Sequence, residues 1–329
     1  MAYEKGQKTW SYLLDKGVKR KPSEYEVVSV NLHYRTDDPE VPFELDPDIP
    51  MNHWFRKYVN ESPLQHDDWD DFRDPDRHVY RTYNLMQDGQ ESYVDGLLNE
   101  YNEIGHDAEL SEEWVEALAR LYAPGRFLMH TVQMASGYLL SVAPASTITN
   151  CVIFQDGDAL RWVQRIAYRT AELAKSRSGK GFGEKERAFW ENDPAWQGFR
   201  ELMEKVLIAY DWGESFVSLN LVAKPAIDEA FLRQFAQAAR REGDTLLAML
   251  ADAALVDSER HRRWTEALVD FALQRDENRR VMGDWLSKWA PLGDKAIEAF
   301  CEALPGAPEA AKTATRGARA FRAELGFDA

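Results

Sequence analysis

The chain has 329 residues, and its 40 Lys and Arg against 56 Asp and Glu leave a formal net charge of −16. Such a surface repels phosphate, and the richest basic clusters, Lys19-Arg20-Lys21 and Arg260 with Arg262-Arg263, are short, which excludes nucleic acid as a partner. Two cysteines exclude a disulfide framework and suit a reducing cytoplasm, while 44% hydrophobic residues, eleven Trp and thirteen Tyr are enough for a large core and for an interface within an assembly.

Residues 1–53 show little helical periodicity and many breakers: Pro22, Asp37-Asp38-Pro39, Pro42, Asp46-Pro47 and Ile49-Pro50. So long a stretch without elements is uncommon inside a compact domain. It is expected to be an extended N-terminal arm laid over another surface, anchored by Trp10, Tyr12, Leu13, Tyr25, Val27, Val28, Leu32 and Tyr34. Its first ten residues contain no apolar signal core.

Residues 54–329 are expected to form one helical domain. The acidic stretch His66-Asp67-Asp68-Trp69-Asp70-Asp71 places carboxylates at adjacent positions, which point in different directions, so it reads as caps and solvated surface, with Pro75 opening a helix. Periodicity then predicts helices over 77–101, 112–143, 148–175, 184–191, 195–223, 226–241, 243–275, 278–304 and 307–325. Breakers separate them at Ser176–Gly183, Lys224-Pro225, Glu242-Gly243 and Pro305-Gly306. The longest fairly apolar run, Phe127 to Ala143, is interrupted by His130, Gln133, Ser136 and Ser141 and falls short of a bilayer span. With no alternating pattern and no internal repeat, the class is all-α.

The stretch 243–275 carries one apolar stripe (Leu246, Leu250, Ala253, Ala254, Trp264, Leu268, Phe271, Ala272) and, within it, Asp257-Ser258-Glu259-Arg260-His261. A carboxylate-bridged di-iron site in a four-helix bundle takes a Glu from each of two helices and a Glu-x-x-His from each of the other two, because i and i+3 share a face. Three residues before His261 stands Ser258, whose hydroxyl is a poor substitute for a bridging carboxylate. A second frame, Asp158-Ala159-Leu160-Arg161-Trp162, has Ala159 in the Glu position and Trp162 in the His position. Asp211, in Tyr210-Asp211-Trp212-Gly213-Glu214, is the candidate remnant of a single carboxylate ligand.

One complete Glu-x-x-His exists, Glu103-Ile104-Gly105-His106, but it falls where a stripe ends, with Gly105 as a helix stop, and it has no second motif to complete a site. The Gly179–Gly183 loop lacks a Gly-Lys-Ser/Thr ending and a preceding strand, no Gly-x-Ser-x-Gly occurs, and Cys151 has no histidine near it in sequence. Close packing requires side chains where a metal cluster has been lost, and Trp162 adds such volume. Asp211 and His261, facing inward, would then need charged partners; Arg161 and Arg260 are the candidates, and a salt-bridged, metal-free polar cluster is expected.

At these residues, and through Lys21–Ser29, Asn31–Tyr34, Tyr80–Leu85, Asp88–Tyr93, Ala143–Ile148 and Glu191–Gly198, the chain resembles the β subunit of the hydroxylase component of bacterial multicomponent monooxygenases of the toluene, xylene, alkene and isoprene type. The resemblance implies a ferritin-like bundle with extra helices and no metal, a scaffold with no active site of its own. It implies α and γ partners in an α2β2γ2 assembly, with the di-iron centre in α. It also implies an effector protein, a Rieske ferredoxin and an NADH-dependent reductase acting on the complex to oxidise small aromatic or alkene hydrocarbons with O2. A self-sufficient di-iron oxidase or iron-storage bundle would need the ligands that Ala159, Trp162 and Ser258 replace. A helical adaptor unrelated to oxygenases would not carry these strings.

Overall fold

The structure is a computed structural model that describes residues 17, 20–30, 32 and 49–327. Among these the secondary structure is helical and no strand occurs, in agreement with the all-α expectation. Two short helices lead: α1 (Glu24–Ser29), and α2 (Pro50–Phe55) with a π turn at Arg56–Asn60. Next come α3 (Tyr80–Glu103), the single turn α4 (His106–Glu109), α5 (Glu112–Ala117, widening to a π turn at Leu118–Tyr122), α6 (Gly125–Val142) and α7 (Ser146–Ser176). After α8 (Glu186–Asn192) and α9 (Pro194–Val206), a composite α10 covers 212–241 and includes π segments Val217–Ala223 and Ile227–Gln234. The chain closes with α11 (Thr245–Ala272), α12 (Asp276–Glu302) and α13 (Ala310–Glu324).

The centre is a bundle of α6, α7, α10 and α11. Short links at 143–145 and 242–244 make α6–α7 and α10–α11 antiparallel neighbours. A buried hydrogen-bond layer ties all four together. Gln155 of α7 donates to Ser136 of α6 (3.1 Å), and Asn220 of α10 donates to Gln155 (3.0 Å) and to Thr265 of α11 (3.0 Å). With partners found, these polar groups specify register rather than cost stability. Helix α3 lies over α7 and α11, burying Val94, Leu97 and Leu98 against Leu246, Leu250 and Ala253. Helices α9, α12 and α13 close the other side. Gly198 is required where α9 crosses α12, because a Cβ there would sit 2.6 Å from the Ala296 Cα.

Several element boundaries differ from the periodicity. The predicted helix over 112–143 is broken at Ala123-Pro124, and the one over 195–223 ends at Val206, because Asp211 caps a fresh start at Trp212. Conversely, the break expected at Lys224-Pro225 is absent. Pro225 lacks an N–H and crowds the carbonyl four residues back, and the π turn immediately before it widens the helix at that point. Pro75 does not open a helix: Asp74 accepts from the Asp76 and His78 amides in a turn, and α3 begins at Tyr80.

Within the expected arm, Trp10, Tyr12, Leu13 and Tyr34 lie outside the described residues. The described part contains α1, which a Ser23/Glu26 capping box starts, a signal present in Ser23-Glu24-Tyr25-Glu26. It packs on its own chain: the Tyr25 hydroxyl accepts from the Asp74 amide (3.0 Å), and Leu32 N–H donates to Ser146 (3.1 Å). Among the described residues no helix is long and apolar enough to cross a membrane.

Candidate functional site

Both degenerate frames meet in the bundle interior. Asp158, Ala159 and Trp162 project from α7, and Asp257, Ser258, Arg260 and His261 from α11, all of them buried. Asp158, wholly inaccessible to solvent, is the hub. It accepts from Tyr83 (2.8 Å) and Gln87 (2.8 Å) of α3, from Arg161 (2.8 Å), from Arg260, and it faces His261 Nε2 at 2.7 Å. A second carboxylate, Asp257, accepts from Gln87 (2.8 Å), Arg260 (3.2 Å) and the Trp162 indole N–H (3.1 Å). Trp162 thus satisfies a neighbouring acid with its indole N–H.

Helix α10 contributes groups that the reading of the sequence missed. Lys224 is buried with its ammonium 5.2 Å from the Trp162 ring centroid, a cation–π contact. One turn on, Asp228 accepts from Ser258 (2.7 Å) and from Arg262 (3.1 Å). Ser258, standing where a bridging carboxylate would be, is therefore a donor to a carboxylate on another helix. The π segments of α10 shift the phase of its side chains, so a constant helical period cannot locate these two residues.

Asp211 does not join the cluster. It caps α10, accepting from the Gly213 (2.9 Å) and Glu214 (3.1 Å) amides and from Ser62 (2.9 Å). Lys224 is thirteen residues further along the helix, roughly 15–20 Å away. The inward groups on this helix are Lys224 and Asp228; the polar Gly213-Glu214 that follows Asp211 was the cap signal. Arg161 and Arg260 do pair with the cluster, but through Asp158 and Asp257. Glu103 and His106 are separated by Gly105 at φ 70°, and His106 turns to Asp244 (3.3 Å).

Burial, with Lys224 and Arg260 close by, pushes the His261 imidazole well below its ordinary pKa. A neutral ring facing a carboxylate through Nε2 donates that N–H, leaving Nδ1 as an acceptor, and among the described residues Nδ1 has no partner. Burial likewise depresses Lys224. Burial opposes the charge of Asp228 too, but Arg262 and Lys224 outweigh it and hold its carboxyl below the usual range.

This donor set does not fit a di-iron centre. Its three carboxylates already accept from guanidinium, hydroxyl, amide and indole donors, and three Arg and a Lys supply positive charge beside them. Among the described residues no group of three or more His, Cys, Asp or Glu is placed to hold a metal ion. The chemistry available is charge compensation.

A second buried ion cluster lies towards the end of the bundle. Arg169 of α7 donates to Asp244 (2.8 and 2.9 Å) and Asp107 (3.0 Å). Asp244 also caps α11, accepting from the Leu247 amide (2.9 Å), and accepts from the Trp114 indole (2.9 Å). Burial opposes its charge, yet Arg169 with the His106, Trp114 and Leu247 donors holds the carboxyl well below its ordinary value.

The chain belongs to the methane/phenol/alkene hydroxylase family, which it matches over residues 54–276. It is 53% identical to the hydroxylase component subunit beta of the toluene-4-monooxygenase system of Ectopseudomonas mendocina, over 92% of this chain and 93% of that one. It is 26% identical to an oxygenase component of phenol 2-monooxygenase from Pseudomonas sp. (strain CF600), over 73% of this chain and 72% of the relative. In structure it superposes on a chain of toluene 4-monooxygenase with toluene bound in its resting active site (TM-score 0.87, 52% identity, 92% of this chain and 99% of that one). A chain of phenol hydroxylase from Pseudomonas sp. OX1, at 19% identity, shares the fold (TM-score 0.86, 100% and 98% covered). The resemblance read from the sequence strings and the ferritin-like bundle are both borne out.

Proposed function

We propose that this chain is the non-catalytic β subunit of a multicomponent monooxygenase hydroxylase that oxidises small aromatic or alkene hydrocarbons. Its partners would be a di-iron α subunit and a γ subunit in a cytoplasmic α2β2γ2 assembly. Electrons from NADH would reach α through a reductase and a Rieske ferredoxin, and an effector protein would act on the same complex. The observation that carries the reading is the cluster around Asp158: in the frame of an oxygen-activating family, cation–carboxylate pairs stand where ligands would be. Ala159, Trp162, Asp211, Ser258 and His261 would bind no metal. The work of the chain would then be mechanical, burying a face of α and holding its ligand helices in place. Residues 1–53 would add an arm that lies on a neighbour.

Affinity purification of the tagged chain, expressed with and without its neighbouring reading frames, tests this. Iron should accompany the preparation only when a partner carrying two complete Glu-x-x-His motifs co-purifies. Stoichiometric iron in the isolated chain, or hydroxylation by it alone, would overturn the reading.

A further inference from the structure

A small cavity of about 40 Å³ lies beside Trp162, among buried side chains of the bundle. Met129 of α6, Trp162 of α7, Phe231 and Phe235 of α10, and Ala251 and Ala254 of α11 line it, and each is buried. The space exists because α11 presents two alanines, at i and i+3, to aromatic rings on α7 and α10.

Two properties decide what the cavity can hold. The first is polarity: a buried water needs about two to four polar partners. The Trp162 indole N–H is taken by Asp257 (3.1 Å), and Arg165, at the edge, is drawn towards Glu91 (2.7 Å). Among the described residues Nε and Nη1 of Arg165 have no partner, so a water at that edge is the competing guest. The second is size: on the same measure a single water needs about 10–15 Å³, whereas a dry cavity that admits benzene measures roughly 150 Å³. An aromatic ring does not fit, but a diatomic gas does.

We propose that this cavity is a binding site for an apolar gas of the size of dioxygen, internal to this chain and independent of any metal. It does not depend on the reading of the chain as a β subunit.

Crystals of the purified protein, alone or in its native complex, pressurised with xenon test this directly. The expected result is a xenon peak bordered by Met129, Trp162, Phe231 and Ala254. Ala254→Val and Ala251→Val each narrow the space from α11, so each variant should lose the peak with its circular dichroism unchanged. An ordered water that persists under pressure, an empty cavity while xenon enters other sites, or a peak retained in both folded variants would overturn the proposal. The wild-type crystal decides even where a variant fails to fold.

Discussion

Two buried ion clusters share this bundle, and their carboxylates are satisfied in different ways. Asp244 sits at a helix start, where unpaired backbone N–H groups are at hand, so Leu247 N–H and a single guanidinium supply most of what its charge needs. Asp158 sits in the middle of α7, where every backbone donor is already used within the helix. All its donors are therefore side chains, gathered from α3, α7 and α11. A mid-helix acid in a closed core requires either a metal or imported cations, and here Arg161 and Arg260, with Lys224 nearby, are the imports.

The comparison can be broken most sharply at its hub. Asp158→Ala leaves Arg260 with Asp257 alone and Arg161 with only the more distant Glu91, and removes the acceptor facing His261, so urea denaturation should show a loss of about 3–5 kcal/mol. A loss under about 1 kcal/mol would mean that the cluster adds little to stability. At the other site, Asp244→Asn keeps the cap and the shape but removes the charge facing Arg169. The same measurement should give the smaller loss of about 1.5–3 kcal/mol expected for hydrogen bonds to a charged group.

His261 sharpens the contrast through pH. Its imidazole is held neutral in the folded state, while the unfolded chain takes up a proton near the ordinary value of 6.5. The unfolded state thus binds more protons as pH falls below 6.5, and stability falls with it. His261→Gln should flatten the denaturation midpoint across that acid window while leaving the alkaline side unchanged. The smallest effect belongs to Lys224. Its folded-state pKa is depressed below 10.5, so wild-type stability rises as pH climbs towards that value. Lys224→Met should abolish the rise and change stability near neutral pH by no more than about 1 kcal/mol, since an apolar chain of similar length offsets the lost charge.

Much of this was legible in the sequence because it is local. The stripe of α11, the decayed frames at Asp158–Trp162 and Ser258–His261, and the stop at Gly105 all rest on spacing along one helix. The capping box of α1 was equally local, but it was overlooked among the surrounding prolines. Asp211 misled because a capping carboxylate and a ligand carpet the same kind of helical segment; only its neighbours Gly213 and Glu214, offering free amides, distinguish the two.

By itself the sequence determined the helical class and the family kinship. Only the tertiary structure decided which charges face one another: that Asp158 rather than Asp211 is the hub, and that Lys224 and Asp228 reach the centre. The reason is that π segments re-phase α10 and that partners such as Tyr83 and Arg260 come from helices far apart in the chain. Spacing along one helix specifies a face, but what that face meets depends on how the helices pack.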